Sequence, residues 1–143
     1  MTIRKYRTSD TDALIAIWRR ANALAHPFLA PEFVARVAAD MRAIYLPNAE
    51  TWVLEEDGDP LGFIALIGTE IGGLFLDPGH VGKGFGRSLV DHAVRLKGPL
   101  RVEVFRDNAV GRPFYERYGF LLDEEYLHDP SGAMAWKMAM PAA

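Results

Sequence analysis

Residues 74–91 read LFLDPGHVGKGFGRSLVD and pass from one kind of local structure to another within a few steps. Leu74 to Leu76 are apolar and strand-like, Asp77-Pro78-Gly79 breaks the strand, glycines alternate at Gly82, Gly84 and Gly86, and from Phe85 apolar residues recur at helical spacing. A strand that turns through glycines into a helix is built to hold phosphate. Glycines without a Cβ let several backbone N–H groups converge on one anion, and the helix adds the positive end of its dipole.

Downstream of this junction, Phe85, Leu89, Ala93 and Leu96, supported by Val90 and Val94, extend the helix to Lys97-Gly98-Pro99. Leu100 to Phe105 alternates as a strand, Asn108 suits an N-cap, and a short helix carries Phe114, Tyr115 and Tyr118 to a stop at Gly119. Counted from Asn108, Pro113 falls well inside that helix, so a late start or a kink is expected. Phe120 to Leu127 and Ala133 to Met140 close the chain as a strand pair. Upstream, Glu70 to Asp77 is a strand interrupted by Gly72 and Gly73, which mark a bulge or a close approach. TWVLEE from Thr51 and LGFIALIG from Leu61 form a hairpin around Asp57-Gly58-Asp59-Pro60. Before them come a strand at Thr2 to Tyr6, a helix striped by Leu14, Ile17, Trp18, Ala21, Leu24 and Ala25 and ended by His26-Pro27, and a second helix running from Pro31 to Tyr45. Strands outnumber crossover helices. One domain over residues 1–143 is expected, an α/β (mixed α+β) fold with a mixed, mostly antiparallel sheet of about seven strands and helices on both faces.

The composition narrows the function classes. Of the 143 residues 50% are hydrophobic, enough for a real core, and the net charge of −3 offers polynucleotides no general attraction. There is no cysteine, which excludes disulfides, thiolate metal sites and a cysteine nucleophile. The four histidines are scattered, so no catalytic metal is expected. The charged N-terminus and the short apolar runs, far below the roughly 20 residues of a bilayer span, predict a soluble, cytoplasmic protein without membrane or nucleic-acid partners.

Two common phosphate motifs fail on spacing. A Walker A loop needs lysine and then Ser or Thr after its last glycine, and here Gly84 and Gly86 precede Phe85 and Arg87. The dinucleotide fingerprint starting at Gly82 would need glycine where Arg87 stands, and the strands ahead of it read as a hairpin.

The run Gly82-Lys83-Gly84-Phe85-Gly86, between the strand Leu74-Phe75-Leu76 and an amphipathic helix, resembles the acyl-CoA loop of the GCN5-related N-acetyltransferase (GNAT) family. Asn108 followed by Phe114-Tyr115-Glu116-Arg117-Tyr118-Gly119-Phe120 resembles the second signature of the same family. The element order agrees over nearly the whole chain. Val81 departs from the family pattern, which carries Gln or Arg there, and Lys83, Arg87 or His80 is expected to supply the missing charge.

The resemblance implies acetyl-CoA as donor and a primary amine of a small molecule, amino acid or peptide as acceptor, joined by direct attack in a ternary complex. It implies that the main chain of Leu74, Phe75 and Leu76 pairs with the pantetheine arm, that Val81, Gly82, Lys83, Gly84, Phe85, Gly86 and Arg87 hold the pyrophosphate, and that Asn108 and Tyr115 also touch the cofactor. An alkylammonium is neutral in roughly one molecule per thousand at pH 7, a deficit of about 4 kcal/mol, so a base or water relay is wanted. Glu70 and His26 are the expected bases, with Glu103 a third candidate, and Tyr115 is the expected acid for the leaving thiolate. His26, Phe28 and Glu103 are expected around the acceptor, with Trp18 and Tyr45 nearby and His128 and Asp129 reaching it from the last turn. A monomer or homodimer fits this reading. A non-catalytic acyl-CoA sensor is the alternative, against which the retained Tyr115 counts.

Overall fold

The computed structural model describes residues 1–142. Strands β1 (Thr2–Lys5), β2 (Glu50–Glu56), β3 (Asp59–Ile67), β4 (Glu70–Leu76), β5 (Arg101–Phe105), β6 (Leu121–His128) and β7 (Ala133–Ala139) form one sheet in the order β1-β2-β3-β4-β5-β7-β6. Every neighbouring pair is antiparallel except β4 with β5. Helices α1 (Thr11–Ala25) and α2 (Pro31–Asp40) pack on one face, and α4 (Phe85–Lys97) and α5 (Gly111–Tyr118) on the other, with a helical turn α3 (Leu46–Asn48) between α2 and β2.

Alternation along the central strands feeds two cores. Val53 and Phe63, opposite each other in register, join Leu14, Ile17, Trp18 and Met41 on the α1 side. Leu54 and Ile64, one step along, join Leu89, Val90, Ala93 and Phe120 on the α4 side. A sheet covered on both faces needs apolar residues at successive positions, which is why LGFIALI carries no polar alternation. Each such fully buried Leu, Ile or Phe contributes about 1.5–3 kcal/mol. Trp18 is also buried, 4% exposed with its edge against Phe75, so it belongs to the core and not to an acceptor pocket.

Where expectation and structure differ, the backbone explains it. The second helix keeps α geometry only to Asp40; Met41–Tyr45 is a π turn, and Leu46–Asn48 closes the segment. The wider turn keeps Met41 and Leu46 buried while Ile44 and Tyr45 face solvent. Helix α5 starts at Gly111, so Pro113 is its third residue, where an N–H would have no partner inside the helix. The glycines of β4 do mark a bulge. The register shifts between Ala65 and Leu66, which pair with Gly73 and Ile71, and Gly72 is the extra residue. Gly62 on β3 lies so close to β4 that a Cβ there would come within 2.9 Å of the Phe75 carbonyl oxygen.

Candidate active site

The parallel pair β4–β5 is the point at which the sheet opens. Its register covers only Glu70 with Arg101 and Ile71 with Val102. Beyond the bulge the strands diverge, so the β5-facing edge of Leu74–Leu76 has no strand partner. A cleft of about 350 Å³ begins there, with Leu74, Phe75 and Leu76 on one side and the start of α4 below. The end of α1, at Ala21, Leu24 and Ala25, forms one wall, and α5 with the turn before it, from Asn108 to Tyr118, forms the other.

The glycine loop works through its backbone. Gly82 and Gly84 have φ of +89° and +82°, a region that side chains with a Cβ rarely enter, and Gly84 leads directly into α4. The first N–H groups of α4 therefore point outward beside the cleft. Gly86 serves packing instead: a Cβ there would sit 3.3 Å from the Phe114 ring, so its absence lets α5 close on α4. Val81, Gly82, Gly84, Phe85, Gly86 and Arg87 all line the cleft. Lys83 does not; its ammonium donates to His80 Nδ1 at 3.1 Å on the outer side of the loop. The cations in the lining are Arg87, stacked 4.9 Å above the Tyr118 ring, and Arg117. Asp77 accepts from Gly79 N at the loop's first turn and pairs with Arg20 of α1 at 2.9 Å, which fixes the loop against the opposite wall.

Tyr115 lies in the inner wall, 5% exposed, its ring held between Phe114 and Phe120. Its hydroxyl makes no hydrogen bond among the described residues, and the residue lines the cleft. Burial pushes its pKa well above the ordinary phenol range, so the hydroxyl carries its proton at neutral pH.

Asn108 is more constrained than a simple cap. Its Oδ1 accepts from Val110 N at 3.0 Å and from Gly111 N at 2.7 Å, and its Nδ2 donates to His26 Nε2 at 3.0 Å. His26 Nδ1 must then carry the imidazole proton, which it donates to Asn22 Oδ1 at 2.7 Å. Both ring nitrogens are engaged, and burial lowers the His26 pKa to about 4. Both features argue against His26 as the base, since its lone pair is engaged and its basicity is lowered.

The other expected residues lie outside the cleft lining, on the α1 face of the sheet. Phe105 is the centre of an aromatic cluster, 5.1 Å from His26, 5.8 Å from Phe28 and 5.4 Å from His128, which also meets Phe33 at 6.0 Å. Glu103 lies two positions earlier on β5, on the same face and just beyond the last β4–β5 rung. Its carboxylate accepts from the Tyr126 hydroxyl at 2.5 Å. Glu70 is on the first rung, its carboxylate 3.7 Å from Arg101 Nε. That ion pair and the distance along the strand from Leu74 weaken its case as the base. Sequence reasoning missed Phe33, Phe105 and Tyr126, which read as strand or helix apolar positions and gain a site only because distant elements converge. Among the described residues no group of His, Cys, Asp and Glu could hold a metal ion, and no helix is long and apolar enough to cross a membrane.

This fold, opened between two parallel strands beside a glycine-led helix, is that of an N-acetyltransferase. The family model described as the acetyltransferase (GNAT) domain matches residues 47–121, and the chain belongs to that family. Among curated relatives, the chain is 37% identical over 121 residues to peptidyl-lysine N-acetyltransferase YjaB of Salmonella typhimurium, covering 84% of this chain and 83% of that protein. It is 29% identical over 140 residues to peptidyl-lysine N-acetyltransferase YiaC of Escherichia coli, covering 97% and 96%. Of solved structures, apo YjaB from Escherichia coli superposes with a TM-score of 0.88 at 31% identity over 99% of this chain and 98% of that one. The PaiA N-acetyltransferase of Thermoplasma acidophilum, solved with coenzyme A, superposes at 0.79 with 20% identity over 95% and 96%, a likeness of fold.

Proposed function

We propose that the protein transfers the acetyl group of acetyl-CoA to the ε-amine of a lysine in a peptide or protein, by direct attack within a ternary complex. The observation that carries this reading is the split between β4 and β5. It leaves the Leu74–Leu76 main chain without a strand partner, beside a glycine-led helix N-terminus and the protonated Tyr115. An extended pantetheine arm would pair with that strand edge as an added strand, with its pyrophosphate over the Gly82–Gly86 backbone. Arg87 or Arg117 would then supply the charge that Val81 lacks. A main-chain N–H of β4 would polarise the thioester carbonyl, and Tyr115 would protonate the departing thiolate.

The acceptor approaches from the α1 face, where Phe28 and Phe105 provide an apolar wall for a methylene chain and Glu103 an acceptor for its ammonium. Glu103 replaces Glu70 and His26 as the proposed base, acting through water, because it stands where the strands part. The relatives named peptidyl-lysine acetyltransferases support a lysine acceptor, as does the exposed setting of Phe28 and Glu103, which admits a side chain borne on a larger molecule.

The test is CoA release measured with acetyl-CoA and a panel of lysine peptides, free lysine, polyamines and N-terminal amines, with acetyl-lysine identified by mass spectrometry. Acetylation confined to α-amines or small amines would overturn the lysine reading. Absence of CoA release with every acceptor would overturn the transfer reading.

A further inference from the structure

The two walls of the cleft come from distant parts of the chain, and a polar tie joins them. Among the described residues, one hydrogen bond connects the end of α1 to the N-terminus of α5: Asn108 Nδ2 to His26 Nε2, between residues 82 positions apart. Each end of this tie is itself held. His26 follows the last residue of α1, its N–H donates to the Asn22 carbonyl at 2.7 Å, and its ring is pinned by Asn22 Oδ1 and the edges of Phe28 and Phe105. Asn108 is 8% exposed, and its Oδ1 is taken by the backbone N–H groups of Val110 and Gly111 at the start of α5.

The sequence makes room for this arrangement at a specific place. A Cβ on Gly111 would lie 2.6 Å from Asn108 Nδ2, closer than any real Cβ contact. Gly111 does not adopt the left-handed conformation, so its backbone does not demand glycine. The missing side chain is the space that Asn108 needs to reach His26. Capping alone would use only Oδ1 and would leave the amide free to face water.

We infer that His26 is a positioning residue for the cofactor, which acts through Asn108 by fixing the distance between α1 and the N-terminus of α5 across the cleft. This rests on the reading of the cleft as the CoA site. His26 is not itself part of the cleft lining; its effect reaches the cofactor by setting Asn108, which lines the cleft, and the start of the helix that carries Tyr115.

A double-mutant cycle on CoA binding by calorimetry tests the inference. His26→Leu and Asn108→Ala are each expected to weaken CoA binding about tenfold, and the double variant to bind no more weakly than Asn108→Ala alone. His26→Gln, whose Oε1 can accept from Asn108, is expected to restore affinity to within about threefold of the parent. Gly111→Ala, with His26 intact, is expected to reproduce the tenfold loss. Losses that multiply to about a hundredfold in the double variant would overturn the inference, as would a His26→Leu protein that melts earlier yet binds CoA like the parent. Imidazole nitrogen NMR of the free protein reads the tie without cofactor: the expected signature is neutral His26 with its proton on Nδ1, and a proton on Nε2 would overturn it even if CoA bound as proposed. Failure of the parent to bind CoA would sink the cofactor reading instead, and the NMR result would still decide the tie.

Discussion

Tyr115 is a residue whose burial and chemistry point the same way. A phenol held in an apolar wall keeps its proton at neutral pH, and a protonated hydroxyl on a residue of the cleft wall is what a departing thiolate needs. Tyr115→Phe removes the proton donor and leaves the ring packing against Phe114 and Phe120 intact. Turnover is expected to fall about 100-fold while CoA affinity stays within about twofold, read by CoA release and calorimetry. Equal turnover in the variant would remove the acid. His26 shows the opposite lesson at the same scale. Its position beside Pro27 marks a loop histidine with an available lone pair, and only its through-space partners Asn22 and Asn108 turn it into a neutral strut.

At the scale of elements, the glycine loop and the split strand pair form one device. The loop can present its N–H groups only if Gly82 and Gly84 hold positive φ, and α4 can meet α5 only if Gly86 lacks a side chain. Gly84→Val would place a β-branched residue at φ +82° directly at the start of α4, with about 1–2 kcal/mol of backbone strain and a bulky group where the pyrophosphate would lie. CoA binding is expected to disappear in calorimetry while circular dichroism shows the fold retained. Preserved affinity would undo the assignment of the loop. The loop and α4 were legible in the sequence because glycine spacing and helical period are local signals. The bulge at Gly72 was legible for the same reason, whereas the π turn at Met41–Tyr45 was not, since the periodicity of an α-helix and of one wide turn are alike over five residues.

For the whole molecule, the burial of His26 makes stability depend on pH. The folded protein depresses the His26 pKa from 6.5 to about 4, mainly through burial. Between those values the unfolded chain binds a proton that the folded protein does not, so stability rises with pH across the window and is lost as pH falls through it. The full effect is about 3 kcal/mol. His92, lowered mainly by burial, adds a slope of the same sign. Asp10, whose carboxylate is held below its ordinary range by Arg4, loses its contribution only at lower pH, below about 4. His26→Gln is therefore expected to flatten denaturant-measured stability between pH 6.5 and 4 compared with the parent. An unchanged slope would show that His26 is not buried as a neutral ring.

The sequence by itself determined the strand–loop–helix junction, the number and order of the major elements, the aromatic-Tyr motif after Asn108, and through these the family. Each depends on residues near one another along the chain, whose spacing states their local geometry. Only the tertiary structure decided where the sheet opens, which carboxylate stands at the opening, and which groups His26 meets. Those properties depend on β4 diverging from β5 and on residues 26 and 108 meeting across the cleft. Contacts formed between distant segments leave no period or spacing in the sequence. Gly111 is the partial exception: it is visible in the sequence as a glycine, and the folded chain places it at the first position of α5 beside the Asn108 amide that requires it.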